Sequence, residues 1–269
     1  MSLCRIAVRR ACVLALKGRT LAGDNVLDSE IGAVEIDHLG NLAVSGKGRF
    51  IAVYTDQATG SNDGQGSLYD NGKLLLRIEF GITEQMLIDE DDPDNPGQTI
   101  RSVVPGIPFT SSAAETYLDL LGAQIVRALS DPKSAPADIF RGLFQGSIQI
   151  DRRRESDGEG QAVAAQQIAL TGVLLPDPIT EDDAPDGGPF SRLLALLEAG
   201  SGDDQRVAGL MRSELKASGE AWEQAQERLG LTNAALLGLA GDTAQSEQPI
   251  ASVVLDIPGR QGEFVSGGA

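Results

Sequence analysis

Three groups of residues are dense enough in donor atoms or charge to do chemistry: the acids between Asp89 and Asp94, the arginines Arg152–Arg154, and the single histidine His38. Carboxylates at Asp89–Asp94 could hold a divalent cation. A calcium loop needs alternating oxygens, a mid-loop glycine and a closing glutamate. Here Pro93 and Pro96 interrupt the run and that alternation is missing. The expected reading is therefore a solvated acidic loop, with a weak divalent-ion site as the alternative. His38 lies in a polar stretch, and no serine or cysteine nucleophile stands in recognisable context. One histidine with Cys4 and Cys12 does not make a zinc set. No phosphate-binding loop is present: "GSNDGQG" (60–66) lacks the lysine and the following helix that a phosphate cradle uses. The reading is of no catalytic residue, no cofactor and no resident metal. An enzyme working through paired carboxylates stays open as a rival. Glycoside sites usually add aromatic platforms, however, and the single tryptophan, Trp222, falls in the C-terminal helical part.

Arginine is the other informative chemistry. Its planar fork suits carboxylate pairing at interfaces. Arg152, Arg153 and Arg154 stand at the mouth of an expected hairpin, where they either balance Asp151, Glu155 and Asp157 across the turn or form a strip between subunits. Arg5, Arg9 and Arg10 line one side of an expected first helix that contains no acid. That side is either a solvated face or a docking surface for an acidic neighbour.

These local basic patches sit in a strongly acidic chain. The sequence has 269 residues, 22 Lys and Arg against 39 Asp and Glu, and a formal charge of −17. Such a surface repels phosphates, which argues against sequence-directed nucleic-acid binding and against attraction to anionic membranes. With 41% apolar but only 4% aromatic residues, the core must be mostly Leu, Ile, Val and Ala. Cys4 and Cys12 are two helical turns apart, about 12 Å of rise, too far for a disulfide within one helix. They read as two buried apolar side chains in a reducing compartment. "ACVLAL" is too short for a signal peptide and nothing approaches a membrane span, so the expectation is a soluble intracellular protein.

The elements that must position these groups follow from periodicity and punctuation. Residues 3–17 read as a helix, 18–32 as a turn with an extended piece around Val26 and Leu27, and 50–55 as a buried strand. Residues 56–72 read as a polar loop, "KLLLRIEFGI" (73–82) as a strand, and 89–98 as an acidic loop. Ser111 or Ser112 caps a helix to Leu129, with Glu115 in a capping box and Asp131-Pro132 as the stop. A short helix over 137–144 precedes strands at 147–153 and 162–174, joined as a long hairpin. The Pro-, Gly- and Asp-rich stretch 179–189 reads as a linker. Helices are expected at 190–199, 203–217, 220–229 and 232–241, then a strand at 250–257 and a loose tail. The fold class is α+β: a mixed or antiparallel sheet packed by helices over 1–178, with a mainly helical extension over 190–269.

The order of elements resembles a known family. "RIAVRRACVLALKGRTLAGDNVLDS" leads to "RFIAVYTD", "LLLRIEF" precedes "ETYLDLLGAQIVRAL", and "GSIQIDRRRESDGEGQAVAAQQIALTGVLLPDP" closes the unit. This resembles the tail terminator proteins of long-tailed bacteriophages, the minor tail protein U-like group, over residues 3–178. The resemblance implies a hexameric ring that caps the tail tube, stops its growth and joins it to the head-neck complex. It implies as partners further copies of the chain, the tail tube protein and a head-completion protein, with DNA passing through the lumen, in a virion assembled in the host cytoplasm. Family members are shorter, so the segment after Pro189 departs from the pattern. The rivals are another neck or tail subunit, a binding module and the carboxylate enzyme.

Overall fold

The structure, a computed structural model, describes residues 2–29, 35–36, 42–43, 48–59, 69–91, 99–156, 162–215, 252–257 and 260–265. His38, most of 56–72, the end of the acidic run and the expected helices at 220–229 and 232–241 lie outside the described residues.

Helix α1, Leu3–Leu16, forms where apolar residues recur at helical spacing, and it buries Cys4, Ala7, Val8, Ala11, Cys12, Ala15 and Leu16. Both cysteines are free and buried, as the spacing indicates. A tight turn leads to strand β1, Val26–Asp28. The short pair β2 (Glu35–Ile36) and β3 (Leu42–Ala43) follows. Then come β4, Arg49–Thr59, and β5, Lys73–Ile82. The next pair is β6, Glu84–Asp91, with β7, Thr99–Gly106. Helices α2, Ser112–Ser130, and α3, Ala135–Gly142, precede the long strands β8, Phe144–Ser156, and β9, Ala162–Leu174. A single 3-10 turn, Glu181–Asp183, precedes α4, Pro189–Glu198, and α5, Gly202–Ser213. Strands β10, Ser252–Ile257, and β11, Arg260–Val265, pair antiparallel.

The main sheet has the order β1-β4-β5-β9-β8. Only β1 runs parallel to its neighbour, so the sheet is mixed. Strict alternation in β5 puts Leu74, Leu76, Ile78 and Phe80 on one face. Register carries that face outward to Ile51 and Val53 of β4 and to Ile168 and Leu170 of β9. Helices α1, α2 and α3 bury Leu16, Leu118, Leu121, Ile125 and Ile139 against it. The class is therefore α+β, a mixed five-stranded sheet with helices on one face.

Several boundaries differ from expectation. The acidic segment is not a loop throughout, because Asp89, Glu90 and Asp91 belong to β6, opposite Arg101, Ile100 and Thr99. The tail is not loose over 260–265, since β11 supplies a full ladder to β10. The 179–189 stretch does not behave as a free linker: Ile179 and Thr180 are buried, and Thr180 with Asp183 forms a capping box. Phe190, Leu193, Leu194, Leu197, Ala208 and Met211 beyond it join the same core as α1–α3. A Pro- and Gly-rich composition marks turns equally well whether the chain leaves a domain or folds back on it. Ser111 caps α2 by accepting from Ala114 N–H, which puts Glu115 one position past the reciprocal capping-box site.

Candidate functional site

The two basic patches have different fates. On α1, every arginine is committed within the chain. Arg5 donates to the backbone O of Thr55 at 3.2 Å and to its Oγ1 at 3.1 Å. Asp28, at the end of β1, pairs with both Arg9 and Arg10. Arg10 reaches on to Asp203 of α5 at 2.5 Å, and Arg206 binds the other oxygen of Asp203 at 2.8 Å. Hydrogen bonds from Arg10 and then Arg206 hold the Asp203 carboxyl down to about 2. These arginines pin α1 to the sheet and to α5. The expected docking side of the first helix is thus a set of internal ties.

The arginines of β8 stand otherwise. β8 is the edge of the main sheet. Arg152, Arg153 and Arg154 are all exposed. Arg154 pairs with Glu115 of α2 and not with Asp151 or Glu155 of its own strand; Asp157 lies outside the described residues. Thr110 donates to the same carboxylate, and these two partners hold Glu115 below the usual carboxylate range, Thr110 contributing most. Arg152 and Arg153 have no ion-pair or hydrogen-bond partner among the described residues. By register, Arg152 stands opposite Ile168 and Arg153 opposite Gln167. The two therefore point to opposite faces of the edge strand.

On the helix side of β8 there is an open groove of about 430 Å³ between α2 and the sheet edge. α2 packs over β5 and β9 and reaches β8 through the Glu115–Arg154 pair. Ile168 and Phe80 form the groove floor, Gly122, Ala123 and Val126 the α2 wall, and Arg152 the rim. Small residues on this wall bring α2 close to the sheet: a Cβ on Gly122 would already sit 3.4 Å from the Phe80 ring. Ile150, two residues from Arg152 on the same face, is 45% exposed. β8 also carries an irregularity between Gln145 and Gln149, with Gly146 at φ +75 in it, the kind of bulge that bends an edge strand. Beyond the bulge, Gln149–Arg154 is a regular edge with one side of its backbone unpaired by the sheet.

On the opposite face of the sheet, a chain of polar side chains crosses the middle strands. Asp56 pairs with Arg77 at 2.7 Å, and Gln167 donates to Glu79 at 3.0 Å. Burial pushes the Glu79 carboxyl up, Gln167 opposes the shift, and the charge of Glu155 adds to it. No sequence signal pointed to this network, although the alternation in "LRIEF" places Arg77 and Glu79 on the face away from the helices. Among the described residues, no group of three His, Cys, Asp or Glu side chains gathers to hold a metal ion. No helix among them is long and apolar enough to cross a membrane.

The fold and its exposed edge define an α+β chain with helices on one side of a mixed sheet and a basic strand at its border. No protein-family model matches it, and no curated protein is significantly similar to it.

Proposed function

We propose that this chain is a structural virion subunit of the tail-terminator type. It would form a ring, hexameric in the family it resembles, that caps the phage tail tube, ends elongation and joins the tube to the head-neck complex. The observation that carries this reading is the β8 edge, where Arg152 and Arg153 are exposed and without partners among the described residues, on a chain of charge −17. A subunit that carries a basic edge and an acid excess elsewhere is complementary to its own copies. Unlike surfaces meeting head to tail generate rings or filaments. The interface assignment rests on Arg152, Arg153 and Arg154, while Arg5, Arg9 and Arg10 hold the subunit together. An acid-rich lumen would let DNA pass without phosphate contacts. In this reading the tail tube protein and a neck protein are the ring's partners, and the virion is its place.

The test is the native mass of the purified full chain, with negative-stain imaging of the same peak. Closed rings are the expected result. Long tubes would reassign the chain to the tail shaft. A monomer that stays monomeric at high concentration and with purified tail tubes would sink the proposal.

A further inference from the structure

The outer border of β8 is an open sheet edge. From Gln149 to Arg154 the strand keeps a regular ladder to β9, and among the described residues no backbone hydrogen bond reaches its other side. The bulge between Gln145 and Gln149 bends only the start of the strand. Past it the edge holds no proline or glycine, and Gln149, Ile150, Arg152, Arg153 and Arg154 are all exposed. A row of unpaired N–H and C=O groups is a template for another strand.

Alternation along the edge says which strand fits. Ile150, Arg152 and Arg154 point to the helix side, Asp151 and Arg153 to the opposite face. Suppose a second β8 runs antiparallel to the first, centred on Arg152. Asp151 of each copy then stands opposite Arg153 of the other. Ile150 lies opposite Arg154, whose head is tied to Glu115 and whose aliphatic stem can cover it. Arg152 meets its own symmetry mate, and Asp119 lines the same groove as Arg152 in each copy to offset that repulsion. The registers two places to either side also keep both helix layers on one side. They put Asp151 opposite Asp151, or Asp151 opposite Glu155. Opposite charges favour a cross-strand pair and like charges destabilise it.

We propose that two copies of this chain pair through antiparallel β8 strands, with Arg152 on the two-fold axis, so that their five-stranded sheets run on as one. The inference stands on the edge itself and goes beyond the ring reading. Such a contact is isologous and closes at two copies. It occupies the arginines assigned to the ring, so a paired copy is withheld from ring growth.

The experiment uses the full chain with one added cysteine on the edge. Residues directly opposite in an antiparallel pair have Cβ atoms about 5 Å apart. Arg152→Cys alone should therefore oxidise to a covalent dimer. Ile150→Cys, on the same face, would have its mate about 13 Å away and reports random collision. The yield at position 152 should exceed that at position 150 by about tenfold, because pairing raises the effective concentration of the two thiols. Cys4 and Cys12 are buried and do not compete. As a second measurement in the Arg152→Cys chain, Asp151→Arg should suppress the cross-link, and adding Arg153→Asp should restore it. Equal yields at positions 150 and 152, or a charge swap that restores nothing, would overturn the pair. Wild-type rings with no cross-link at position 152 would overturn the pair and leave the ring reading standing. A cross-link at position 152 with a wild type that forms no rings, even on tail tubes, would uphold the pair and remove the ring.

Discussion

Asp177 closes the N-terminus of α1 from the far end of the sequence. One carboxylate oxygen accepts from the N–H of Cys4 at 2.9 Å and the Oγ of Ser2 at 2.7 Å, and the other accepts from the N–H of Leu3 at 3.0 Å. Asn71 donates to it at 3.0 Å, and the Asp177 N–H donates to the O of Tyr69. A helix start leaves unpaired N–H groups and a partial positive charge, which a carboxylate answers best. One side chain thereby ties the first helix, the entry to β5 and the exit from β9. Its charge also raises the thiol pKa of Cys4, after burial, so that this cysteine stays unreactive.

Asp177→Ala should therefore destabilise the fold by about 1–2 kcal/mol, the cost of a lost helix cap with its charge. Asp177→Asn, which keeps an acceptor, should cost less than Ala. Urea unfolding of the three proteins at neutral pH checks the order. Equal stability of the Ala variant and wild type would remove Asp177 from the helix start.

The two arginine sets should respond in opposite ways. Asp28 is largely buried between Arg9 and Arg10, with 17% side-chain exposure. Asp28→Ala leaves the Arg9 guanidinium without its carboxylate and Arg10 with Asp203 alone, and should lower stability by about 2 kcal/mol. Arg152→Glu with Arg153→Glu breaks no internal pair and should change monomer stability by less than about 0.5 kcal/mol, while weakening assembly. Thermal melts and native masses of both variants separate the cases. A large loss of melting temperature in the Arg152 and Arg153 variant would mean that β8 is braced by those side chains.

The contrast also marks what was legible in the sequence. α1, β5, α2 and the β8–β9 hairpin were readable because each is a long periodic segment with a cap or turn at its ends. Lys73–Ile82 matched to the residue. The arginines of α1 could be placed on one helix side, but their partners Asp28 and Asp203 are 18 and more residues away in sequence, and no local pattern names them. The 179–189 segment was misread because composition reports turns and not tertiary return. Ile179, Thr180 and Phe190 become buried only because α4 folds onto α3 and α1. Arg152–Arg154 were found by charge density, yet their status as a free edge depended on knowing that β8 ends the sheet. Nothing in the sequence announced the α2–β8 groove, which opens between Gly122, Ala123 and Val126 of α2 and Arg152 of β8.

Asp203 provides a titratable marker for the tie between α1 and α5. Its carboxyl is held at about 2 against an ordinary 3.8, first by the hydrogen bond from Arg10. A depressed carboxylate contributes stability above its unfolded value that is lost as pH falls through the folded one. The tie should therefore persist below pH 3 and open near pH 2. Arg10→Gln should move the Asp203 midpoint back up towards 3.8, read by carboxyl-carbon NMR. An unmoved midpoint would assign the shift to Arg206 alone.

Glu79 should show the reverse sign. Its folded pKa lies above the ordinary 4.5, mainly because burial disfavours the charged form. Below pH 4.5 it is protonated in both states and costs nothing. As pH rises, the unfolded chain releases the proton first, so stability falls through that window and stays lower above the folded value. Glu79→Gln keeps an acceptor for the Gln167 amide, now 3.0 Å from Glu79 Oε1, and carries no charge. The variant should be more stable than wild type at pH 7.5 by a small margin, because the group is only partly buried and solvent screens it. The difference should vanish at pH 4. A gain of equal size at both pH values would place its origin in packing on the sheet face, with the carboxylate charge playing no part.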